Sequence, residues 1–420
     1  MGKQISKIKL LDVSEIIMGQ SPDSSFCNTE SIGIPFLQGC GEFGKKNPEA
    51  TNYCSNPKKI SPKNSILISV RAPVGDLNIS DQIYVIGRGL AGIVATTINQ
   101  KFLYYSILQF RRNLARVSQG STFEAINSSD LHSFEINEFP LPHQRKIARI
   151  LTTIDNVIET TESAIAKYKA IKQGMMHDLF TRGIDIETGK LRPNKEDAPH
   201  LYKKTELGWI PKEWEVNNIL SSTYLKGRIG WQGLKASEFI EEGPFLVTGT
   251  DFEDGNIDWN GCYHISEKRY SEAKYIQLRN DDVLITKDGT IGKIAYVKEC
   301  PNQAVLNSGI FLMRCKDGSY INKYLFWLLN SSVFNSFLYK SLGGSTIIHL
   351  YQREFEKFQF CIPSINEQIR LINKLESANI RIDTEQMQLA KVQKLKQGLM
   401  QDLLTGKKEV EPDKEDYEDE

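Results

Sequence analysis

The chain has 420 residues, of which 40% are hydrophobic and 25% charged, and its 52 lysines and arginines balance 52 aspartates and glutamates. This composition is typical of a globular protein with two to four domains, and it excludes a largely disordered chain. No stretch approaches about eighteen apolar residues and the start lacks a signal-peptide pattern, so we expect a cytoplasmic protein without a membrane span.

The cysteines and charges give further limits. Seven cysteines occur without a Cys-x-x-Cys pair, which favours reduced thiols over disulfides or zinc. The last 14 residues hold three lysines and eight carboxylates, so the rest of the chain carries a net charge of +5. That is a weak signal for a nucleic-acid partner. We expect 407–420 to be a disordered acidic tail because it has few apolar residues.

The first half of the chain predicts a globular domain followed by a long helix. Residues 1–140 alternate short aliphatic runs with turn clusters, which indicates a sheet-rich domain, with helical spacing at 101–117. Residues 141–184 carry apolar side chains at alternating steps of four and three. This spacing predicts a helix with a narrow apolar seam, as in a coiled coil. The charged stretch at 185–205, which contains Pro and Gly, is predicted to be a linker.

The second half repeats the first. Residues 206–362 predict a second sheet-rich domain and 363–406 a second long helix, and KQGMMHDLFTRG at 172–183 returns as KQGLMQDLLTGK 224 positions later. Gln144 has its counterpart in Gln368 at the same offset. The predicted seam is formed in the first helix by Ile147, Leu151, Ile154, Ile158, Ile165, Tyr168, Ile171, Met175 and Leu179, and in the second by Leu371, Leu375, Ala378, Ile382, Leu389, Val392, Leu395, Leu399 and Leu403.

The repeat also predicts a topology. A helix that leaves the first domain and a helix that leaves the second must run antiparallel if their seams pair. Each helix of about 38 residues spans roughly 57 Å. The predicted fold is α+β: two similar mixed α/β domains separated by two long antiparallel helices in a coiled coil, with pseudo-twofold symmetry. Two arms held apart in this way suit duplex DNA, whose groove recurs every ~34 Å.

Several segments carry a resemblance to a known family. They are LLDVSEIIMGQSP (10–22), FPLPHQRKIARILTTID (139–155), KQGMMHDLFTRG, ELGWIPKEWEV (206–216) and FCIPSINEQIRLINKLE (360–376). In this order they resemble the specificity subunit of type I restriction-modification systems, over the whole chain except the acidic tail. The second copy departs from the first by an insertion, SIN, after Pro363, and the first domain lacks a GWIPKEW-like leading segment.

The resemblance implies a function. It implies that 1–140 and 206–362 are target-recognition domains, each of which reads half of a split DNA sequence. It also implies that the two helices space these domains and hold two methyltransferase subunits, in a complex that includes restriction subunits. No cofactor is then expected in this chain, whereas S-adenosylmethionine, ATP and Mg are expected on the partner subunits.

Each candidate catalytic motif in the sequence lacks a residue or an element that its chemistry needs. GRGLAG at 87–92 matches G-x-G-x-x-G, but a β-branched run follows it instead of a helix, so we interpret it as a strand-to-strand turn that needs the φ freedom of glycine. GCGEFGKK at 39–46 nearly forms a phosphate loop, yet Lys46 replaces the Ser or Thr that would hold magnesium. A methyltransferase would need an N-P-P-aromatic loop, and neither of the two Asn-Pro pairs continues that way. We therefore expect a non-catalytic subunit.

Candidate DNA contacts are side chains on predicted loops that can hydrogen-bond base edges or phosphates. They are Gln20, Arg71, Arg88, Gln119, Ser121 and Thr122, with Arg111, Arg112 and Arg116 on the helix, in the first domain, and Arg228, Gln232, Lys287, Thr290, Ser345 and Thr346 in the second. For each, a solvated loop residue is the alternative. Gly-Ser-Thr recurs in both halves, which favours a framework or phosphate role, whereas divergent pairs such as Arg71 and Asp288 are expected to carry sequence choice.

The outer faces of the helices are the candidate surface for protein partners, although a solvated charged face is the alternative. Its residues are Arg145, Lys146, Arg149, Lys167, Lys169 and Lys172. The alternative function is a coiled-coil DNA-binding regulator or adaptor without enzyme partners. Neighbouring reading frames for an N-P-P-aromatic methyltransferase and a helicase-nuclease would favour the restriction-modification reading.

Overall fold

The protein is described by a computed structural model that covers residues 6–118, 125–228, 233–341 and 349–417, with the backbone alone for 112–118. It divides into two compact units, one formed by Met1–Ser163 with Gln386–Glu420 and the other by Ala164–Glu385. Each unit therefore contains a part of both long helices. Within the ranges given, no helix is long and apolar enough to cross a membrane.

The first unit combines a four-stranded, a five-stranded and a two-stranded sheet with a helical layer. Its strands are β1 (Lys7–Lys9), β2 (Ser14–Met18), β3 (Cys27–Asn28), β4 (Ile34–Leu37), β5 (Asn52–Cys54), β6 (Ile60–Ser61), β7 (Ile66–Ser69), β8 (Leu77–Ile79), β9 (Tyr84–Ile86), β10 (Leu90–Ala95) and β11 (Glu135–Asn137), and its helices are α1 (Leu10–Val13), α2 (Gln100–Ser118), α3 (Ser128–His132) and the start of α4 (Leu141–Thr181). The sheets have the orders β2-β10-β7-β8, β3-β5-β4-β9-β6 and β1-β11.

Strand β7 shows why the first unit has this layering. All four of its residues are buried, and side chains alternate between the two faces of a strand. Ile66 and Ile68 accordingly pack in the cluster that includes Phe102 of α2, whereas Leu67 packs with Tyr84 of the five-stranded sheet. The apolar run SILISV therefore forms a strand that is covered on both sides.

The second unit is built from the same kinds of layers. Its strands are β12 (Tyr202–Thr205), β13 (Gly208–Pro211), β14 (Glu215–Asn218), β15 (Thr223–Gly227), β16 (Ile240–Val247), β17 (Phe252–Glu253), β18 (Asn256–Ile257), β19 (Tyr263–His264), β20 (Val283–Thr286), β21 (Ile294–Tyr296), β22 (Ala304–Leu306), β23 (Ile310–Cys315) and β24 (Gln359–Ile362). Its helices are α5 (Ile219–Ser222), α6 (Glu267–Glu272), α7 (Asn322–Leu329), α8 (Ser332–Ser341), α9 (Gln352–Phe355) and the start of α10 (Ile365–Leu404). The sheets have the orders β15-β23-β20-β21, β19-β16-β22, β14-β24, β12-β13 and β17-β18.

A buried glutamine joins each long helix to the domain before it. Gln144 is 4% exposed, accepts from the Asn99 amide at 2.8 Å and donates to the Phe139 carbonyl at 2.7 Å. Gln368 is fully buried and makes the same two kinds of bonds, to the Ile321 amide and the Pro363 carbonyl. The repeated glutamine is therefore a repeated structural contact.

The two long helices pack antiparallel in each unit. In the first unit, Asp155 of α4 pairs with Lys396 of α10 at 2.6 Å, while Ile147, earlier in α4, joins a cluster with Leu403, later in α10. In the second unit, Lys172 bonds Asn379 and the later Leu179 joins a cluster with the earlier Leu371. The predicted fold class is confirmed by these contacts and by the two mixed α/β units.

Two predicted seam positions are not in the seam. Ile171 is 53% exposed in the second unit and Leu395, its counterpart in the repeat, is 54% exposed in the first. The apolar spacing identified both as seam residues because it cannot tell which side of a paired helix meets the partner helix and which meets other surfaces.

The GRGLAG segment is a turn between β9 and β10, but its glycines serve a different purpose from the one predicted. Gly87 and Gly89 do not have positive φ angles. A Cβ at Gly89 would lie 2.8 Å from the Gln38 carbonyl oxygen, and one at Gly92 would lie 2.4 Å from the Ser61 hydroxyl. The requirement is close approach of neighbouring chain segments.

Candidate nucleic-acid interface

In the first unit, loops at the carboxyl ends of four strands meet. Gln20, Gln38, Arg71 and Arg88 follow β2, β4, β7 and β9, and all four side chains are exposed. The Arg88 amide and the Gln38 side chain both donate to the Ser21 hydroxyl at 3.3 Å. We call these residues the first loop cluster.

Hydrogen bonds between backbones hold the first loop cluster together. The Val70 amide donates to the Gly89 carbonyl at 2.9 Å, which brings the loops of Arg71 and Arg88 side by side. Arg71 also forms an isolated β-bridge with Ala125. Arg111 of α2 joins this end of the unit through an ion pair with Asp76 at 3.6 Å. Three of the predicted arginines thus lie on one exposed end of the unit.

The second unit has the same arrangement with different side chains. The Lys287 amide donates to the Gly309 carbonyl at 2.8 Å, as Val70 does to Gly89, and Asp288 forms an isolated bridge with His349 where Arg71 bridges Ala125. The His349 imidazole is 2.7 Å from an Asp288 carboxylate oxygen. We call Arg228, Lys287, Asp288 and the segment 349–352 the second loop cluster.

The turn after β7 and the turn after β20 share one framework. The Ser69 hydroxyl donates to the Pro73 carbonyl at 2.6 Å and accepts from the Asp76 amide at 2.8 Å. The Thr286 hydroxyl does the same with the Thr290 carbonyl at 2.5 Å and a later amide at 2.9 Å. Thr290 is exposed in this turn. The scaffold is therefore repeated while the side chains it presents differ.

The second loop cluster lines a cleft of about 390 Å³. Lys287 pairs with Asp288 at 3.0 Å, and its ammonium lies 5.7 Å from the centre of the Phe311 ring. Burial raises the pKa of Asp288, but the hydrogen bonds from His349 and Lys287 outweigh it and hold that pKa below its usual value. The carboxylate is thus charged at neutral pH and accepts from both neighbours.

Arg228 differs from its predicted position on an exposed loop. It is 6% exposed, and its Nε donates to the Leu306 carbonyl at 2.9 Å. Burial lowers the pKa of its guanidinium. Within the second loop cluster, Arg228 is thereby a structural contact that holds the end of β22. The remaining candidates, Arg112, Arg116, Gln119, Ser121, Thr122, Gln232, Ser345 and Thr346, lie outside the residues, or the side chains, that the structure describes.

Sequence reasoning missed Gln38 and His349 as site residues. β4 is separated by Gln38 from a 3-10 helix that starts after Gly39, whereas β16 ends directly before the equivalent cap, Thr248. Gln38 therefore takes the position of Val247, the residue directly before the cap, and it is exposed where Val247 is fully buried, a difference that the aligned segments alone do not predict. His349 gave no ligand spacing because its partner Asp288 is 61 residues away.

Comparison with known proteins identifies the family of the chain. Residues 3–169 and 231–394 match the family model of the type I restriction modification DNA specificity domain. The chain belongs to this family. The match contains two copies of the domain, so the resemblance seen in the sequence to type I specificity subunits is confirmed.

Relatives of this specificity subunit include two from Methanocaldococcus jannaschii. The putative type I restriction enzyme MjaX specificity subunit is 40% identical over 176 residues, 41% of this chain and 41% of that protein. The type I restriction enzyme MjaVIII specificity subunit is 24% identical over 364 residues, 84% of this chain and 81% of that protein. The crystal structure of the type I restriction-modification S subunit from M. genitalium shares the fold, with a TM-score of 0.59 at 16% identity over 96% of this chain and 97% of that chain.

The basic residues predicted to bind subunit partners fall into three groups. Lys167 and Lys169 are exposed, as predicted. Lys172 instead packs inward, where its ammonium bonds Asn379 at 2.5 Å and lies 4.8 Å from the centre of the Trp327 ring. Burial lowers its pKa. Arg145, Lys146 and Arg149 form the third group, and the acidic tail covers them.

The tail differs from the predicted disordered end. Residues 407–417 are placed in the first unit, where Val410 packs on the apolar core and Lys414–Tyr417 forms a 3-10 helix. Asp416 is 4% exposed. Composition suggested disorder because the segment has few apolar residues, but the cations of α4 offset its negative charge.

Lysines of the apparent phosphate loop also contact α4 in the first unit. Lys45 pairs with Glu162, and Lys46 pairs with Glu159 at 3.1 Å. These lysines therefore attach the domain to its helix, and the near-match to a phosphate loop has a structural explanation.

Proposed function

We propose that this specificity subunit reads a bipartite, asymmetric DNA target, with one half-site for each loop cluster. One observation carries the proposal: the same backbone framework presents Arg71 beside Ala125 in one unit and Asp288 beside His349 in the other. A shared framework can approach DNA in the same way, while different side chains select different bases.

The chemistry of each cluster supports a different base preference. Arg71 and Arg88 are exposed cations that can each donate two hydrogen bonds to the O6 and N7 of guanine. Gln38 presents an amide that can pair with the N6 and N7 of adenine. In the second unit, Asp288 accepts hydrogen bonds and can receive one from the N4 amino group of cytosine.

A change in each cluster tests the bipartite reading. In a strain that expresses the whole system, replacing Arg71 with Ala should alter the methylated motif in one half only, because the other cluster is unchanged. Asp288→Ala is the matched variant and should alter the other half only. The motif is measured by methylome sequencing, and deletion of the gene should erase it.

An unchanged methylome after deletion would contradict the proposal and favour a DNA-binding regulator without enzyme partners. If both substitutions altered the same half of the motif, the assignment of one half-site to each unit would be wrong.

We also propose that the paired helices dock two methyltransferase subunits, one on each unit. Ile171 and Leu395 occupy the same position of the repeat and each exposes about half of its surface. In the second unit, Ile171 borders a groove of about 480 Å³ with Tyr168, Met175 and Ala378. Burying such apolar side chains contributes about 1.5–3 kcal/mol each to association.

A charge placed at either position tests this docking. Ile171→Glu and Leu395→Glu should each remove one methyltransferase subunit from the complex, and the double variant should remove both. Leu220→Glu is the control, because Leu220 is similarly exposed at 58% but lies on α5. Native mass spectrometry measures the stoichiometry, and retention of both subunits by the double variant would refute the site.

The chemistry of the complex is assigned to its other subunits. In this proposal the chain itself is non-catalytic, the methyltransferase subunits bind S-adenosylmethionine, and restriction subunits use ATP and Mg. Among the described residues, no group of three or more His, Cys, Asp or Glu side chains could hold a metal ion. A cytoplasmic location, where chromosomal DNA is accessible, remains part of the proposal.

A further inference from the structure

The described part of the acidic tail contains a turn with a defined geometry. The Asp413 amide donates to an Asp416 carboxylate oxygen at 2.8 Å, and the Asp416 amide donates to the Asp413 carbonyl at 3.0 Å. These bonds place the carboxylates of Asp413, Glu415 and Asp416 on one surface. We call residues 413–416 the acidic turn.

The acidic turn lies on cations of the first three turns of α4. Asp413 pairs with Lys146 and Arg149, and Arg149 also contacts Glu415 at 2.5 Å and Asp416 at 3.0 Å. The Lys146 hydrogen bond leads the causes that hold the pKa of Asp413 below its usual value. This surface of α4 is therefore shaped and charged to hold an acidic segment.

Backbone recognition accompanies the charge pairing. Arg145 donates to the Asp416 carbonyl at 3.1 Å. A cleft of about 580 Å³ opens beside the turn, and its apolar lining includes Ile66, Ile79 and Ala148. A carbonyl contact and an apolar lining are features that suit a peptide better than a chain of phosphates.

The acidic turn is a second copy of a segment in the linker. Pro-Asp-Lys-Glu-Asp at 412–416 matches Pro-Asn-Lys-Glu-Asp at 193–197, and the Asp197 amide donates to the Asn194 carbonyl just as Asp416 does to Asp413. The first copy directly follows Arg192, whose guanidinium bonds Glu367 at 2.5 Å; these side chains are 6% and 1% exposed.

The second copy is held more weakly. Its contacts include exposed ion pairs, since the side chains of Asp413 and Glu415 are 56% and 80% exposed. Such pairs contribute little to stability and are screened by salt. Release of the tail therefore breaks mostly solvent-screened ion pairs, besides the buried contact of Asp416 and the packing of Val410, whereas the linker copy is held in the chain on both sides.

We propose that the basic surface formed by Arg145, Lys146 and Arg149 is a docking site for an acidic segment of a partner protein, and that the acidic turn occupies it until the partner arrives. This inference rests on the proposed docking of methyltransferase subunits. The partner segment carries carboxylates spaced like those of the acidic turn and takes its place on α4.

The first experiment weakens the tail in the full chain. Asp413→Asn with Glu415→Gln keeps Asp416 and removes two charges, and it should increase the affinity for the methyltransferase subunit about threefold to tenfold at low salt. Glu196→Gln is the matched control, because Glu196 occupies the position of Glu415 in the linker copy, and its affinity should stay unchanged. Faster tryptic cleavage after Lys414 reports release of the tail.

The second experiment needs no methyltransferase. A fluorescent peptide with the sequence of residues 409–420 should bind the tail-weakened chain more tightly than the unmodified chain, where the tethered turn competes. Adding Lys146→Gln and Arg149→Gln should abolish peptide binding. Circular dichroism of this variant checks that it folds.

The outcomes separate this inference from the proposed function. Unchanged methyltransferase affinity with a released tail would overturn the inference, as would absence of peptide binding. Tighter binding of duplex DNA without a change in methyltransferase affinity would identify a phosphate surface and would also overturn it. If no form of the chain bound the methyltransferase, the proposed docking would fail, while peptide binding would still show that the surface takes acidic segments.

Discussion

The buried carboxylate of Glu367 offers a sharp test of how the second unit is held together. Glu367 is 1% exposed and accepts hydrogen bonds from the Ile184 amide at 2.8 Å, from Arg192 at 2.5 and 3.0 Å, and from the Trp214 indole at 3.1 Å. It therefore connects the start of α10 with the segment after α4 and with the residue before β14.

We expect Glu367→Gln to destabilise the second unit by about 3–5 kcal/mol. The substitution keeps the size of the side chain, but it removes the buried counter-ion of Arg192, which keeps the exposed Glu213 carboxylate at 3.3 Å, and it turns an amide NH₂ group toward donors. In a unit of this size the loss corresponds to a decrease in Tm of roughly 6–20 °C.

Tryptophan fluorescence during urea unfolding is a suitable assay, because all five tryptophans lie between Trp209 and Trp327, within the second unit. Glu376→Gln is the control on the same helix. Glu376 is 28% exposed and pairs with Lys323, so its loss should be smaller. A loss below about 1 kcal/mol for Glu367→Gln would refute the idea that this buried pair holds the unit.

Three further predictions concern the first unit and the helices. Gly92→Ala should destabilise the first unit by about 1–3 kcal/mol, because its Cβ would lie 2.4 Å from the Ser61 hydroxyl, whereas Gly174→Ala in open space should be neutral or stabilising in thermal unfolding. Burial and a hydrogen bond to Asp81 raise the pKa of Tyr84 to about 12 from 10.0, so the contribution of Tyr84 to stability should be lost as the pH rises through that window. In a spectrophotometric titration, Tyr84→Phe should lose a late step of tyrosine ionisation, and a titration curve that keeps this step would contradict the prediction. Inserting one heptad into both α4 and α10 adds about 10 Å and should lengthen the gap between half-sites by about three base pairs in the methylome, and a fixed gap would mean that the helices are not the spacer.

The sequence was sufficient for features that depend on neighbouring residues. The spacing of apolar residues predicted α4 and α10, and the offset of 224 paired Gln144 with Gln368, which make equivalent hydrogen bonds. Turn residues and aliphatic runs predicted the sheet-rich units. These features can be read from a single sequence because helix spacing, strand alternation and turn chemistry act over a few residues.

The tertiary structure decided which distant side chains meet. Asp288 reaches His349 across 61 residues and Arg149 reaches Asp413 across 264, through strand registers and helix packing that no local pattern encodes. For the same reason Arg228 became a buried contact, Ile171 left the seam and the acidic tail acquired a binding surface. The sequence by itself determined two repeated units joined to long helices. The packing within each unit determined which charged side chains are exposed and which are already paired, because the pairing of charges depends on distance in space.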